Sequence, residues 1–246
     1  MAKKTGTLRI GTSGFSYPDW RGAFYPEDLD TDDWFGYYAE QFDTLELRSP
    51  FFRMPTDQML EGLRDRAPEG FVFSTRAIKV ITHNKMLRGC GRELGSFRSA
   101  MLRLGNNLEV ILWQLPSGFQ ADLPRLNTFL KVVTQTWRAR HAVQFRHASW
   151  LRPSTYRLLA SNGVSVANAD ALRSVVDGIV TADFVYVRKH GPNGSGRKAY
   201  GARALQSEAD RIREWLDKGL DVYVYFANNV EAFAAKNALK LKELCG

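Results

Sequence analysis

Phe184-Val-Tyr-Val-Arg-Lys-His190-Gly191 is a strand-like run that ends in a cation, an imidazole and a glycine. Side chains alternate between the two faces of a strand, so Val185 and Val187 share one face. The opposite face carries three polar or ionisable side chains: Tyr186, Arg188 and His190. An apolar back and an ionisable front are typical of a strand that packs on helices behind it and borders a site in front.

Seven similar runs occur elsewhere in the 246 residues, and helix-like runs alternate with them. The eight predicted strands are Leu8–Thr12, Phe42–Arg48, Phe71–Arg76, Glu109–Gln114, Ala142–Arg146, Val164–Asn168, Phe184–Arg188 and Val222–Phe226. Eight alternating strand and helix units predict parallel strands closed into a single (β/α)8 TIM-type barrel, an α/β fold that occupies residues 1–246 as one domain. A doubly wound open sheet is the alternative, but Gly11-Thr-Ser-Gly14 is too short for its phosphate-binding turn.

Composition limits the classes of partner. The net charge of +8 suits an anionic small molecule or a nucleic acid, yet the basic residues are scattered and form no nucleic-acid motif. No apolar run is long enough to cross a bilayer, and the N-terminus carries no secretory signal. Cys90 and Cys245 form no disulfide framework. We therefore expect a cytoplasmic protein without a membrane partner.

Four arginines occupy equivalent positions in the predicted strands. Arg48, Arg76, Arg146 and Arg188 each end a predicted strand and are predicted to point inward. The active groups of this type of barrel lie at the carboxyl ends of its strands. Several guanidinium groups in one closed mouth repel one another unless an anion lies among them, and Glu46 neutralises only part of their charge. The alternative for any one of them is a structural ion pair with Glu46.

Other polar residues near the strand ends complete the candidate site. Glu46, His147 and His190 are the candidates for proton transfer. The remaining candidates for contact with a ligand are Tyr17, Trp20, His83, Gln114, Gln144, Asn228 and Asn229. For Trp20 the alternative role is packing, and for one of the two asparagines it is capping of a helix, because Glu231 follows Asn228 by three residues. Too few inward carboxylates are predicted for a metal site, and we expect no cofactor.

The strand ends also resemble a known family. Gly11-Thr-Ser-Gly-Phe-Ser-Tyr17, Phe145-Arg-His147 and Val185-Tyr-Val-Arg188-Lys-His190-Gly191 are similar to motifs of the YecE-like family (domain of unknown function 72), as are Gln114-Leu-Pro116 and Asn228-Asn229. The resemblance covers nearly the full chain and implies a TIM-barrel-like fold. It brings no established reaction with it.

This chain departs from the pattern of that family at the predicted site. Arg48 replaces the asparagine that is usual in the family, Arg76 replaces a lysine and Gln144 replaces a glutamate. Pro50 and Phe52 replace a threonine and a tyrosine. These changes remove a carboxylate and a hydroxyl group and add positive charge. The resemblance therefore implies either a substrate that differs from those of relatives or a lost activity.

Three functional hypotheses remain. The first is a metal-independent enzyme, such as a lyase, isomerase or hydrolase, that uses general acid–base chemistry on a small phosphate- or carboxylate-bearing substrate. The second is a non-catalytic binder of an anionic ligand or nucleic acid. The third is a degenerate family member without activity.

Overall fold

A computed structural model describes residues 5–171 and 175–246. Eight parallel strands form a nearly closed barrel, which confirms the predicted (β/α)8 TIM-type fold. The strands are β1 (Leu8–Thr12), β2 (Thr44–Leu47), β3 (Val72–Arg76), β4 (Leu108–Gln114), β5 (Arg140–Gln144), β6 (Ser165–Ala169), β7 (Phe184–Lys189) and β8 (Asp221–Phe226). Around the sheet they follow the order β1-β8-β7-β6-β5-β4-β3-β2.

Helices surround the strands. They are α1 (Trp34–Gln41), α2 (Ser49–Phe52), α3 (Asp57–Arg66), α4 (Gly91–Met101), α5 (Leu123–Thr136), α6 (Pro153–Ser161), α7 (Ala202–Asp217) and α8 (Phe233–Cys245). As predicted, α3 begins after a capping Thr56, whose hydroxyl accepts the Met59 N–H at 3.2 Å, and α6 opens with Pro153. Within residues 5–171 and 175–246, none of the helices combines the length and apolar character that a membrane span requires.

The predicted alternation along β7 is confirmed. Val185 and Val187 join the large apolar layer between the strands and the helices, whereas Tyr186 lies inside the barrel. Aromatic and aliphatic side chains from β4 to β8 fill that interior. The Tyr225 hydroxyl lies 2.7 Å from both the Thr44 and the Ser74 hydroxyl, so the polar groups of the interior satisfy one another.

The seam between β1 and β2 closes differently from the rest of the wall. No regular ladder joins these two strands in the described chain; an isolated bridge between Ser13 and Glu46 does. The Tyr38 hydroxyl fills part of the gap, because it accepts the Thr12 N–H at 2.9 Å and donates to the Thr44 carbonyl at 3.0 Å. Gly11 allows the close approach, since a Cβ atom there would lie 2.3 Å from the Thr44 oxygen.

The segment between β6 and β7 departs from the predicted alternation. No helix occurs in its described parts, 170–171 and 175–183. Instead Val176 pairs with Ala169 in an isolated antiparallel bridge, and the Asn168 side chain bonds both backbone groups of Ile179. Side-chain bonds therefore hold this crossover against the end of β6. The prediction of a helix in every unit is wrong here.

Candidate anion-binding site

A cavity of about 200 Å³ opens where the strands end. Six residues predicted from the sequence to bind an anion share its wall: Arg48, Arg76, Gln114, Arg146, Arg188 and Asn229. Its other lining residues are Ser13, His190 and Ala227. The mouth thus brings together four guanidinium groups, two from β3 and β7 and two from the residues just after β2 and β5.

Glu46 and Arg188 form a buried pair at the base of this cavity. One carboxylate oxygen of Glu46 accepts from Nη2 of Arg188 at 2.8 Å and from the Ser13 hydroxyl at 2.5 Å. The other oxygen accepts from the Tyr186 hydroxyl at 2.6 Å. Burial raises the pKa of Glu46, but Arg188 and these hydrogen bonds outweigh it, so the pKa lies below its usual range. Glu46 is therefore an ionised counter-charge.

Glu46 does not line the cavity, although we predicted that it moves protons there. Its side chain is completely buried, and both of its oxygens are occupied by donors. A carboxylate held in this way fixes the position of Arg188. These contacts give Glu46 a positioning role, and its part in proton transfer stays a prediction.

Gln144 links this pair to His190. Nη1 of Arg188 donates to Oε1 of Gln144 at 2.8 Å, which turns the amide nitrogen of Gln144 toward Nε2 of His190 at 3.1 Å. An amide nitrogen only donates, so Nε2 of His190 accepts and its proton lies on Nδ1. The chain Glu46–Arg188–Gln144–His190 therefore fixes His190 as a neutral imidazole with its Nε2 lone pair toward Gln144.

The guanidinium groups raise the positive potential of the cavity. Four of them, set against the single carboxylate of Glu46, leave an excess of three positive charges. Burial and the charge of Arg188 lower the pKa of Arg76 to about 9, and the same two causes lower the pKa of Arg146. Nε of Arg76 is also buried without a hydrogen-bond partner among the described residues. An anion would relieve both conditions.

The same potential acts on two histidines. Burial, followed by Arg188, Arg146, Arg76 and Lys189, lowers the pKa of His190 to about 2. Burial and Arg76 lower the pKa of His83 to about 4. His83 lies behind the wall, where its ring meets Phe51 edge-on at 4.9 Å, and the Phe51 ring in turn lies against the Arg76 guanidinium. His190 is therefore the histidine that borders the cavity.

Two residues that we predicted to contact a ligand, Trp20 and Asn228, do not line the cavity. Trp20 is completely buried, and its indole N–H donates to the backbone oxygen of Asn229 at 2.7 Å, so it is a packing residue. Asn228 is also fully buried, and its amide donates to the Lys198 carbonyl and to the Asn237 side chain. Both side chains support loops behind the cavity.

The capping alternative for the asparagines is also wrong. Neither Asn228 nor Asn229 caps a helix, because Glu231 and Ala232 take positive φ angles and α8 begins only after them. The Asn229 amide donates instead to the Tyr17 hydroxyl at 2.9 Å. That hydroxyl also accepts from Nη1 of Arg48 at 3.2 Å, which places Tyr17 at the rim of the site.

His147 does not line the cavity. Its Nδ1 accepts the Ser149 N–H at 3.1 Å and therefore caps the short turn Ala148–Trp150. Its predicted part in proton transfer has no geometric support from the lining. β5 also ends two residues earlier than predicted, so Arg146 reaches the mouth from beyond the sheet.

Sequence reasoning missed several residues that hold the site. Ser13 lines the cavity and binds Glu46, and Tyr186 binds Glu46 from β7. Strand alternation had placed Tyr186 on the same face as Arg188, which was the available signal. Asp170 accepts the backbone N–H of His190 at 2.6 Å, and Tyr200 binds both Asp170 and the N–H of Gly191. No local pattern indicates these last contacts.

Fold and site together define a TIM barrel with a cationic cavity at its carboxyl-terminal mouth. Residues 9–246 match the family described as "Protein of unknown function DUF72", and the chain belongs to that family. This confirms the resemblance drawn from the strand-end motifs. The comparison with curated proteins found no match.

Solved structures agree with this assignment. A DUF72 family protein from Thermotoga maritima is 27% identical, with a TM-score of 0.87 over 97% of this chain and 98% of that chain. Another from Enterococcus faecalis is 18% identical, with a TM-score of 0.81 over 97% of this chain and 95% of that chain. The E. coli enzyme 3-keto-D-glucoside 4-epimerase shares the fold at 13% identity, with a TM-score of 0.57 and 98% coverage of both chains.

Proposed function

We propose that the barrel mouth binds a small phosphate- or carboxylate-bearing substrate, and that His190 exchanges a proton with it. The observation that carries this proposal is the convergence of four guanidinium groups on one cavity of about 200 Å³, with a single carboxylate to balance them. Arginine binds planar or tetrahedral oxyanions through paired N–H donors. The volume suits the anionic group of a ligand.

The arginines have two different parts in this proposal. Arg188 is held by Glu46 and Gln144, so it forms a rigid floor. Arg76 and Arg146 have no carboxylate partner among the described residues and supply the charge that attracts the anion. Since the pKa of Arg76 is lowered by burial and by neighbouring guanidinium groups, a bound anion stabilises its protonated form.

His190 provides the acid–base step. In the free site its imidazole is neutral, with Nε2 as an acceptor. An anion within about 6 Å, at an effective dielectric constant of about 20, raises the proton affinity of His190 about a hundredfold. His190 can accept the substrate proton only on Nε2, so the Gln144 amide must release that nitrogen while the proton is held and bind it again when the proton returns to the substrate.

The test is a titration of the purified protein with inorganic phosphate at constant ionic strength, followed by thermal unfolding. Phosphate at about 100 times its dissociation constant should add about 2.7 kcal/mol to the free energy of unfolding. Arg76→Gln and Arg146→Gln should each lose most of this gain. The matched control is Arg138→Gln, an exposed arginine just before β5 at the opposite end of the barrel.

The imidazole NMR signals give a second readout of the same titration. Without phosphate, the His190 signal should stay constant from pH 8 down to about pH 4.5, since its pKa is about 2. With phosphate, the signal should begin to move at a higher pH. Equal stabilisation of Arg138→Gln and the two cavity variants would overturn the anion site. If phosphate binds but the pH dependence of the His190 signal does not change, the protein is an anion binder and His190 has no part in proton transfer.

A further inference from the structure

A second concave surface lies directly beside the cationic cavity. It has a volume of about 390 Å³ and lies between the loop after β1 and the helices α2 and α3. We call it the rim groove. Its lining residues are Gly14, Phe15, Ser16, Tyr17, Leu47, Arg48, Ser49, Phe52 and Met59.

The floor and sides of the rim groove are apolar, and they are open to solvent. Phe52 is 65% exposed and Met59 is 42% exposed, and because both line the same groove they form one exposed apolar patch. Phe52 is held in place, because its ring meets Phe51 edge-on at 5.0 Å and the Arg48 guanidinium lies 5.2 Å from its centre. The groove thus presents a fixed aromatic surface.

The rim groove and the cavity share a wall. Arg48 lines both spaces, and Tyr17, which accepts a hydrogen bond from Arg48, lines the groove. Ser13 lines the cavity, and the next residue in the chain, Gly14, lines the groove. The Arg48 side chain therefore separates the two spaces, and a molecule that has its anionic group among the arginines would extend over Arg48 to reach Phe52.

We infer that the ligand of this site is an amphiphilic anion: a phosphate or carboxylate that carries an aromatic or aliphatic group. This inference rests on the proposed function, because the cavity must hold the anionic group. The cavity supplies charge but almost no apolar surface, and the rim groove supplies apolar surface with a single cation at its border. The two together have the mixed character of small-molecule sites, which are largely apolar with a few placed polar groups.

The groove is large enough for the inferred group. An apolar cavity of about 150 Å³ accepts benzene, so the rim groove has room for one or two fused rings. A tenfold gain in affinity requires only about 55 Å² of apolar surface to be removed from water. Contact with Phe52 and Met59 on one side of a ring meets that requirement.

The experiment compares two pairs of probes by calorimetry: inorganic phosphate with 2-naphthyl phosphate, and acetate with 3-phenylpropionate. In at least one pair the aromatic probe should bind about tenfold or more tightly than its simple partner. Phe52→Ala and Met59→Ala should each reduce that advantage and leave the simple anion unchanged. Leu102→Ala is the control, because it removes an apolar side chain elsewhere whose exposure of 55% lies between those of Phe52 and Met59.

The outcomes separate this inference from the proposed function. If simple anions bind and the aromatic probes bind no more tightly, the amphiphilic ligand is refuted while the anion site stands. If the aromatic advantage survives both Phe52→Ala and Met59→Ala, the rim groove is not its source and the inference fails. If no anion binds in either pair, the proposed function fails. Because Phe52 and Met59 are exposed, their variants are expected to fold, which circular dichroism checks.

Discussion

At the scale of single residues, the base of the site depends on one ion pair. Glu46 is completely buried and stays ionised because Arg188 and two hydroxyl groups hold its oxygens. Burial by itself would raise the pKa of such a carboxyl group. The pair is therefore a condition for the geometry of the cavity as well as for its charge.

Removal of Arg188 tests this dependence. Arg188→Met leaves Glu46 as a buried charge without its cation and should lower the free energy of unfolding by about 3–5 kcal/mol at pH 7.5. In this variant burial raises the pKa of Glu46, so protonation relieves the penalty, which should become smaller at pH 5. Urea unfolding at both pH values measures this change.

A partly exposed pair provides the control for that experiment. Arg9 bonds Asp43 at 2.7 Å, with side-chain exposures of 21% and 44%. Arg9→Met should cost less than about 1 kcal/mol, because solvent screens such pairs. A loss of equal size in both variants would contradict the role assigned to burial of Glu46.

Among the elements of the fold, the seam between β1 and β2 is the weakest part of the barrel wall. A side chain of α1 completes it, since the Tyr38 hydroxyl bonds Thr12 in β1 and Thr44 in β2. Tyr38→Phe removes that hydroxyl and leaves two buried backbone groups unpaired. Each such group costs about 1–3 kcal/mol.

We expect Tyr38→Phe to be less stable than the wild type by about 2–6 kcal/mol, the sum for the two groups, and to exchange the Thr12 amide proton faster. Hydrogen exchange followed by NMR measures the second effect residue by residue. Tyr37→Phe is the matched control, because Tyr37 is only half-buried on the same helix. Unchanged exchange at Thr12 in the Tyr38 variant would show that the seam closes without the hydroxyl.

The elements also show how far sequence reasoning reaches. The alternation of strand side chains correctly put Tyr186 inside the barrel and Arg188 at its mouth, because that alternation is a local property of the backbone. Trp20 and Asn229 meet across 209 positions of sequence, and nothing local to either residue indicates the contact. Likewise, Glu231 and Ala232 take positive φ angles between the asparagines and α8, and the spacing of Asn228 and Glu231 does not indicate this.

For the molecule as a whole, three of the four histidines have lowered pKa values. Burial is the largest cause for each, and the pKa is about 4 for His83, about 4 for His141 and about 2 for His190. His141 lies between Trp113 and the Val133 carbonyl, and no arginine contributes to its pKa shift. Burial alone therefore lowers the pKa of His141. The folded chain therefore excludes protons that the unfolded chain binds.

This difference makes stability depend on pH. Unfolded histidines take up protons below about pH 6.5, so the free energy of unfolding should fall as pH decreases from about 6.5 to 5. Each fully affected histidine contributes at most about 1.4 kcal/mol per pH unit. Urea unfolding over this range measures the slope, and His190→Gln should make it shallower. A slope that is identical in the variant would contradict the lowered pKa of His190.

The two structural roles of Glu46 affect which residues of the site evolution can change. Ser13 and Glu46 also meet across the seam between the first two strands, through a backbone bridge and a side-chain hydrogen bond, so mutations there weaken the barrel wall together with the floor of the cavity. Arg76 and Arg146 have no such second duty among the described contacts. A lineage that no longer needs its ligand should therefore keep Glu46 and Ser13 for folding, while Arg76 and Arg146 accumulate substitutions. Retention of Arg76 and Arg146 among descendants is the better sign that the ligand still matters.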